Sequence, residues 1–385
     1  MKVIIIGGGI GGLTLANTLQ KQGIDYEVYE AAEQFSPIGA GIMLGINAML
    51  IYQNIGLAQS LRSKGHQLEA AHITNSNLSP INSMPLNTFA DELGADSITI
   101  HRADLIQILY KNLDPKKIFT GKKAQYLVQN KNNAEVYFRD GDYAVGELVV
   151  GADGIHSVLR QQLFPDIQKR YLGQTCWRGV VDFKLSRVFQ NQLFEAWGPN
   201  GRFAFVALND KQVYWFAVKT ANAGQQDNPK TIKSELCENF KMHKGPCQQL
   251  IMQTSKILRN DIYDLKTPKT WHQGRVVLLG DAIHAASPNL GQGGAQAIED
   301  AHMLTYYLAQ EKEINLALKQ YEKQRFPKAR KITEQSKLFG QLAHLSHPFW
   351  QKVRNQLMRN IPSRMSHTPL KSIFEVAPQT LSKAS

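Results

Sequence analysis

A run of glycines that directly follows the first apolar segment constrains this chain more than any other feature. Lys2 to Ile6 is a short β-branched run, typical of a buried parallel strand. The glycine-rich run Gly7 to Gly12 follows it, and then a predicted helix from Leu13 to Gln22 and a predicted strand from Tyr26 to Tyr29. Strand, glycine turn, helix and strand in this order predict the opening βαβ unit of a Rossmann-like α/β fold.

Each part of this unit has a mechanical task in binding a dinucleotide. Gly7 makes the tight turn, Gly9 lets the backbone approach a pyrophosphate, and Gly12 allows close packing of helix on strand. Glu30, at the end of the second strand, is placed to accept hydrogen bonds from ribose hydroxyls. An acid there favours FAD or NAD over NADP, and the motif alone does not separate the first two.

Two later segments carry further polar groups at strand ends. The apolar strand Glu147 to Val150 leads into Gly151-Ala152-Asp153-Gly154. The strand Arg275 to Leu279 leads to Asp281, which is placed at a strand's carboxyl edge to bond a polyol. The backbone N–H groups of Gly291 to Gly294 open a predicted helix, so they offer a positive dipole to a developing anion.

With these three ordered segments the chain resembles the single-component (group A, p-hydroxybenzoate-hydroxylase-like) FAD-dependent monooxygenases. The resemblance spans residues 7 to 301 and extends to Pro37–Ile42 and Arg102–Leu105. It implies FAD as the cofactor and NADH or NADPH as a transient co-substrate. It implies cofactor contacts at Gly7, Gly9, Gly12, Glu30, Gly41, Ile42, Arg102, Asp153, Asp281, Pro288, Gly291, Gln292, Gly293 and Gly294.

The resemblance also implies the reaction. NAD(P)H would reduce FAD, and O2 would form a flavin C4a-hydroperoxide that hydroxylates or epoxidises a small aromatic, heteroaromatic or polycyclic substrate. No metal is required and no side chain is assigned as catalytic. Asp153 is favoured as structural, and His284 as a packing residue rather than a base. The alternative is an FAD-dependent dehydrogenase or reductase of the same fold without productive oxygen transfer.

An interleaved domain organisation follows from the resemblance. Residues 1–72, 96–170 and 270–340 would form a discontinuous FAD-binding domain, and residues 73–95 and 171–269 a substrate-binding β-sheet domain. Residues 341–385 would form a basic C-terminal helical segment, with a loosely ordered tail beyond Pro362. Period-two alternation predicts antiparallel strands at Thr175–Phe183, Gln192–Trp197, Arg202–Leu208 and Gln212–Val218.

Basic and aromatic residues of these strands are the substrate-pocket candidates. Strand alternation lets only about half of them face the flavin. The set is Trp177, Arg178, Arg202, Phe203, Phe205, Tyr214, Trp215 and Phe216, with Arg178, Arg202, Phe203 and Tyr214 foremost. Arg178 and Arg202 matter because an anionic substrate would need a cation. Trp177-Arg178-Gly179 resembles salicylate- and urate-hydroxylase-like branches, yet Asn289 stands where urate enzymes are expected to carry an acid, so the substrate stays open.

Charge is concentrated at the C-terminal end. The net charge is +12, and from Leu318 to Ser385 there are 13 Lys/Arg against 3 Asp/Glu. Because no nucleic-acid-binding motif accompanies this charge, a solvated helical face is favoured over nucleic-acid binding. His347–Trp350 and Leu357–Met358 could anchor a membrane surface, but we expect these helices to pack on the FAD domain without stable membrane association.

Cysteine usage and the N-terminus favour a cytoplasmic location. The three cysteines lack C-x-x-C spacing, which argues against a disulfide framework. Val3–Ile6 is too short for the apolar region of a signal peptide, and no window approaches the roughly 18 apolar residues of a membrane span. The sequence does not determine the oligomeric state.

Overall fold

The computed structural model describes residues 1–35, 40–360, 363–377 and 380–381, and within them the chain forms strands, α-helices and three short 3₁₀ turns. The strands are β1 (Lys2–Ile6), β2 (Asp25–Tyr29), β3 (Gly41–Leu44), β4 (His66–Leu68), β5 (Ala70–Asn75), β6 (Pro80–Pro85), β7 (Ser97–His101), β8 (Ile118–Phe119), β9 (Ala124–Gln129), β10 (Ala134–Phe138), β11 (Tyr143–Gly146), β12 (Leu148–Gly151), β13 (Lys169–Asp182), β14 (Gln192–Gly198), β15 (Gly201–Ala207), β16 (Gln212–Thr220), β17 (Leu258–Leu265), β18 (His272–Gln273) and β19 (Val276–Leu278). The helices are α1 (Ile10–Lys21), α2 (Ile46–Asn54), α3 (Ala58–Lys64), α4 (Leu86–Leu93), α5 (Arg102–Lys111), α6 (Val158–Leu163), α7 (Ile232–Asn239), α8 (Cys247–Gln253), α9 (Asp281–His284), α10 (Gly293–Gln310), α11 (Ile314–Ala343), α12 (Pro348–Arg359) and α13 (Ser363–Phe374). The 3₁₀ turns are Pro115–Lys117, Arg187–Phe189 and Pro288–Leu290.

A six-stranded sheet in the order β18-β19-β12-β1-β2-β8 carries the N-terminal unit. Its strands are parallel except for β18, which pairs antiparallel with β19. The β-branched residues of β1 are buried, and α1 packs on α10. Because β1, β12 and β19 run in parallel, their carboxyl ends meet at one edge of the sheet. The predicted Rossmann-like α/β fold is confirmed.

A seven-stranded sheet in the order β17-β13-β16-β15-β14-β5-β6 contains the four strands that period-two alternation predicted. Its neighbours pair antiparallel except β14 with β5. A hairpin turn between Gly198 and Gly201 joins β14 to β15. Residues 70–85 reach this sheet from an earlier part of the chain, and the division of the chain into two domains stays a prediction.

The C-terminal segment departs from expectation in two ways. The prediction of a loosely ordered tail beyond Pro362 is wrong for Ser363–Phe374, which form α13. Phe374 anchors this helix because its ring is buried against Phe89, with 5.8 Å between ring centroids. The C-terminal helices were also expected to pack on the FAD domain, but α12 packs on β6 and Trp197 of the seven-stranded sheet and leaves Phe349, Trp350 and Leu357 exposed. None of the described helices combines the length and the apolar character needed to cross a membrane.

Candidate active site

The turn between β1 and α1 leaves backbone donors open. Gly7 has a φ of +109° and lies against the backbone of Ala152, while a side chain at Gly12 would collide with the Gly7 carbonyl. A Cβ at Gly9, in contrast, would meet no atom within 4 Å. Gly9 is the N-cap of α1 and provides no side-chain cap, so the first N–H groups of the helix remain available to an anion. The turn therefore fits the pyrophosphate of FAD.

Glu30 lies directly beside this turn. Its carboxylate accepts hydrogen bonds from the N–H of Gly8 at 2.6 Å and of Ala32 at 2.8 Å. A carboxylate has about four lone-pair sites, so these two bonds orient Glu30 and leave acceptor capacity for ribose hydroxyls. Its position as a cofactor contact stays a prediction.

Asp153 holds the loop after β12. One of its carboxylate oxygens accepts the Val158 N–H at 2.8 Å, at the start of α6, and burial raises the pKa of Asp153. Arg160 on α6 donates to the carbonyl of Ala282 at 3.0 Å, which ties this loop to α9. These contacts are structural, as the sequence favoured for Asp153, and none of them tests a cofactor contact.

Three charged side chains from separate elements meet in the middle of the candidate site. Asp281 is the first residue of α9, Arg102 the first of α5, and Arg178 lies on β13. Burial lowers the pKa of Arg102, Arg178 lowers it further, and Asp281 acts in the opposite direction. Burial also raises the pKa of Asp281, although its side chain remains accessible from the cleft. Asp281 and Arg102 lie close enough to influence each other electrostatically, and an acid and a cation placed there suit the ribityl and phosphate middle of FAD.

The loop from Pro288 to Gly294 forms the next wall. Pro288 and Gly291 are exposed, and Gly291 has a φ of +64°. Gln292 is buried and accepts a hydrogen bond from the Asn47 amide at 3.1 Å. Helix α10 begins at Gly293, directly after Gln292, and no side chain caps its first N–H groups.

Strand β3 packs on this loop and on the seven-stranded sheet. A Cβ at Gly294 would meet the Ile42 side chain at 2.9 Å, and one at Gly41 would meet the Tyr214 ring at 2.6 Å. Gly41 and Ile42 therefore lie between the loop and the sheet. Of the rest of the predicted segment, Ala40 is buried, and Pro37 to Gly39 lie outside the described residues.

A closed set of charges, which we call the cofactor-side cluster, lies beneath this loop. It consists of His284, Glu299, Asp300, Arg325 and Lys328. Arg325 donates to Glu299 at 2.6 Å and to Asp300 at 2.7 Å, and Lys328 donates to Glu299 at 2.8 Å. Asp300 also accepts the N–H of Gly280 at 2.8 Å, immediately before Asp281. Although burial opposes ionisation, His284 and Arg325 hold the pKa of Asp300 at about 2.

His284 belongs to this cluster rather than to the cleft. Its ring is buried, bonds Asp300 and packs 5.0 Å from the Trp271 ring. A histidine held between an acid and an aromatic ring supports α9. This is the packing position that the sequence favoured for it.

The seven-stranded sheet turns one face toward these elements. Arg178 lies opposite Phe216 across neighbouring strands, and Arg202 lies opposite Val218. Residues 214, 216 and 218 of β16 lie on one face of the sheet, so Arg178, Arg202, Tyr214 and Phe216 share that face. The opposite face packs in a core with α7 and α8 that includes Trp177, Phe203, Phe205 and Trp215. Phe203 is stacked 5.3 Å from Trp215 and fully buried, so the prediction that it lines the pocket is wrong.

On the cleft-facing side lies a second set of charged and polar side chains, which we call the substrate-side cluster: Arg178, Glu195, Arg202 and Asn289. Arg202 is buried, donates to Glu195 at 2.8 Å and bonds the Asn289 side-chain oxygen. Asn289 in turn donates to the Ser287 hydroxyl at 2.8 Å. Arg178 bonds the Asn260 amide oxygen at 2.7 Å. The Nε atoms of Arg178 and Arg202 have no partner among the described residues.

Sequence reasoning missed Glu195, Arg325 and Lys328. Glu195 lies on a predicted strand and alternates with Trp197, whose indole N–H it accepts at 2.8 Å. The alternation of the strand indicates which face Glu195 occupies, but not that Glu195 pairs with Arg202. Arg325 and Lys328 lie on α11, and a helical pattern alone does not show that they reach acids on α10.

Comparison with known proteins gives consistent results across the chain. A family model described as "FAD binding domain" matches residues 1–336. An aurachin C monooxygenase/isomerase from Stigmatella aurantiaca is 38% identical over 94% of this chain and 95% of that protein. A 2-heptyl-3-hydroxy-4(1H)-quinolone synthase from Pseudomonas aeruginosa is 32% identical over 94% and 95%. The crystal structure of Klebsiella pneumoniae HpxO complexed with FAD and uric acid superposes with a TM-score of 0.89 at 26% identity, over 97% of this chain and 96% of that one.

Proposed function

The chain belongs to the FAD-binding-domain family of flavoprotein monooxygenases, and on that premise we propose that its substrate is a neutral bicyclic heteroaromatic ring of the 4(1H)-quinolone type. The enzyme is an FAD-dependent monooxygenase that acts on a small aromatic or heteroaromatic compound. When bound, FAD supplies the electron transfer and the activation of oxygen. The chain's own residues bind the cofactor, orient the ring and exclude water.

The compensated charge of Arg202 carries this proposal. Glu195 neutralises the guanidinium inside the protein, and Asn289 adds a neutral partner instead of a second acid. A substrate carboxylate beside Arg202 would be repelled by Glu195 and would also lose its hydration. A ring carbonyl needs only one donor, and the Nε–H of Arg202, which has no partner among the described residues, is such a donor.

The neighbouring aromatic side chains suit a flat, uncharged ring. Tyr214 and Phe216 lie on the same sheet face as Arg202, with 6.2 Å between their ring centroids. The phenol of Tyr214 is protonated at neutral pH, and burial raises its pKa further from neutrality. The phenol is therefore a neutral donor or acceptor, and it adds no charge that would attract an ionic substrate.

The name of one relative supports the same class. It is a 2-heptyl-3-hydroxy-4(1H)-quinolone synthase, and it aligns over 94% of this chain. We therefore take an alkyl-substituted 4(1H)-quinolone as the first test compound. The same test asks whether the enzyme uses NADH or NADPH and whether it hydroxylates or epoxidises its substrate.

The decisive experiment is mass spectrometry with isotopically labelled oxygen. Purified FAD-loaded enzyme is incubated with ¹⁸O₂, NADH or NADPH, and separately with 2-heptyl-4(1H)-quinolone, urate and salicylate. We expect one labelled oxygen atom in the quinolone product alone. Labelled product from urate or salicylate instead would overturn the substrate class while leaving the monooxygenase activity in place. Nucleotide oxidation that yields only peroxide with every compound would favour the reductase alternative.

A further inference from the structure

Helix α12 presents its apolar side to solvent instead of to the protein. Phe349, Trp350 and Leu357 are 58%, 56% and 65% exposed. Phe349, Val353 and Leu357 are four residues apart, so with Trp350 they follow one side of the helix. We call these four residues the α12 apolar stripe. Large apolar side chains exposed together in this way mark an interaction surface more often than isolated ones do.

The side of α12 that faces the protein is polar, and it holds the helix in this orientation. Arg354 is buried, and its guanidinium lies 4.5 Å from the centre of the Trp197 ring. It donates to the carbonyls of Leu342 at 2.8 Å and Ala343 at 3.2 Å at the end of α11. Turning the helix to bury the stripe would break these contacts. The outward direction of the stripe is therefore fixed by the fold.

The segment of chain that contains the stripe carries basic charge. Arg354 is buried, and Lys371 pairs with Glu92. In all, from Gln335 to Phe374 the chain contains six lysines and arginines and no acidic residue. Two of these, Lys352 and Arg359, are exposed on α12 itself. Two copies of such a surface would repel each other, whereas an anionic surface would attract it.

We propose that the α12 apolar stripe docks the enzyme onto the surface of an anionic lipid bilayer. The helix would lie in the plane of the interface, with Phe349, Trp350 and Leu357 at the boundary between headgroups and acyl chains. Aromatic residues favour that depth, and exposed lysine and arginine beside them add attraction to anionic lipid. Such docking needs no membrane-spanning helix.

The contacts of α12 connect it to the substrate-side cluster, so docking would place the active site near the membrane. Arg354 touches Trp197, and Trp197 shares the acceptor Glu195 with Arg202 of the substrate-side cluster. Under the proposed function the substrate is alkyl-substituted and partitions into lipid, so docking would bring the enzyme to its substrate. The docking itself is tested without substrate, and the two proposals can therefore fail separately.

Vesicle flotation of the FAD-loaded full chain tests the proposal. Vesicles of phosphatidylcholine alone are compared with vesicles that also contain phosphatidylglycerol. We expect flotation with the anionic vesicles, weakened by salt, and a loss of about tenfold or more in the Phe349→Ser/Trp350→Ser double variant. Lys352→Glu should weaken flotation on anionic vesicles only. Tyr126→Ser/Val128→Ser, which changes exposed apolar residues on β9, is the matched control and should float as the unaltered chain does.

A second measurement separates docking from a folding defect. Trp350→Phe keeps an aromatic ring at the stripe, so it should retain flotation while fluorescence quenching by brominated lipid falls. Flavin content and melting temperature should match in all variants. Equal flotation of the double variant and the unaltered chain would overturn the proposal. A dimer that the double variant dissociates, without vesicle binding by either protein, would assign the stripe to a second copy and overturn it as well.

Discussion

The two charged clusters that flank the candidate active site differ in how completely their atoms are paired. In the cofactor-side cluster, Arg325 and Lys328 bond Glu299, Arg325 also bonds Asp300, and all four carboxylate oxygens of the two acids accept hydrogen bonds. In the substrate-side cluster, Arg178 and Arg202 each keep an unpartnered Nε. Buried donors without partners cost free energy, and the Nε atoms of Arg160 and Arg259 lack partners as well; the two on the cleft-facing side of the sheet are the ones that a ligand bound there could use. The comparison therefore distinguishes residues that hold the site together from residues that we propose meet the substrate.

The largest expected effect on stability comes from removing the Arg325 cation of the cofactor-side cluster. Arg325→Met would leave Glu299 and Asp300 buried with one cation fewer, and we expect a loss of about 3–5 kcal/mol in the free energy of unfolding. Urea unfolding measures it. The control is Arg330→Met on the same helix, which removes only an exposed pair with Glu334 and should cost less than about 1 kcal/mol. Equal losses in both variants would contradict a structural role for the cluster.

Acid stability offers a second comparison, because each side contains one histidine with a lowered pKa, of which His302 is buried and His344 half-buried. Burial lowers the pKa of His302, on α10, to about 4 and the pKa of His344, at the end of α11, to about 3. The unfolded chain binds these protons below about pH 6.5 and the folded chain does not, so each histidine should remove about 1.4 kcal/mol of stability per pH unit as the pH falls from 6.5 toward 4. Unfolding free energies measured across this window for His302→Gln and His344→Gln should show flatter slopes. An unchanged slope in either variant would mean that its histidine is protonated in the folded protein.

Loss of the Glu30 carboxylate should act on the cofactor rather than on folding. In Glu30→Ala the ribose acceptor disappears, and we expect FAD affinity to fall by about 1–3 kcal/mol, roughly ten- to a hundredfold. Titration of the apoprotein with FAD, followed by flavin fluorescence, measures it. Glu27→Ala on β2, the strand that ends just before Glu30, removes a pair with Lys2; it serves as the control and should leave FAD affinity unchanged. Equal affinity in Glu30→Ala would show that the ribose assignment is mistaken.

The smallest expected effect on folding, and the sharpest on turnover, belongs to Arg178. Its side chain bonds the Asn260 amide and has no acidic partner among the described residues, so Arg178→Gln should change stability by less than about 0.5 kcal/mol. Because Arg178 faces Arg102 at the cleft, we expect kcat/KM to fall about tenfold or more.

The matched control for Arg178→Gln is Arg259→Gln. Arg259 lies on the neighbouring strand and pairs with Asp227, so its replacement should leave turnover unchanged. If Arg178→Gln unfolds as readily as Arg325→Met, the distinction between the two clusters is lost. Thermal unfolding and steady-state kinetics on the same preparations decide this.

Local sequence determined the cofactor half of this protein. Short sequence patterns mark the glycine turn, the apolar strands that precede it and Asp281, and Glu30. Only glycine fits the approaches at Gly7 and Gly12, and parallel strands bring their carboxyl ends together. The strands of the seven-stranded sheet also followed from their alternation. These elements are readable because the residues that mark each of them lie within a few positions along the chain, even where the contact itself is distant, as between Gly7 and Ala152.

Tertiary structure decided the substrate half and the C-terminal surface. Alternation placed Phe203 and Arg202 on opposite faces, but only the packing of α7 and α8 on one face showed which of them meets the cleft. Glu195 neutralises Arg202 across a hairpin, and Arg354 turns the apolar side of α12 outward. Each outcome depends on which distant side chain satisfies a buried charge. Pairing of that kind is set by three-dimensional proximity, which a residue's local pattern does not encode.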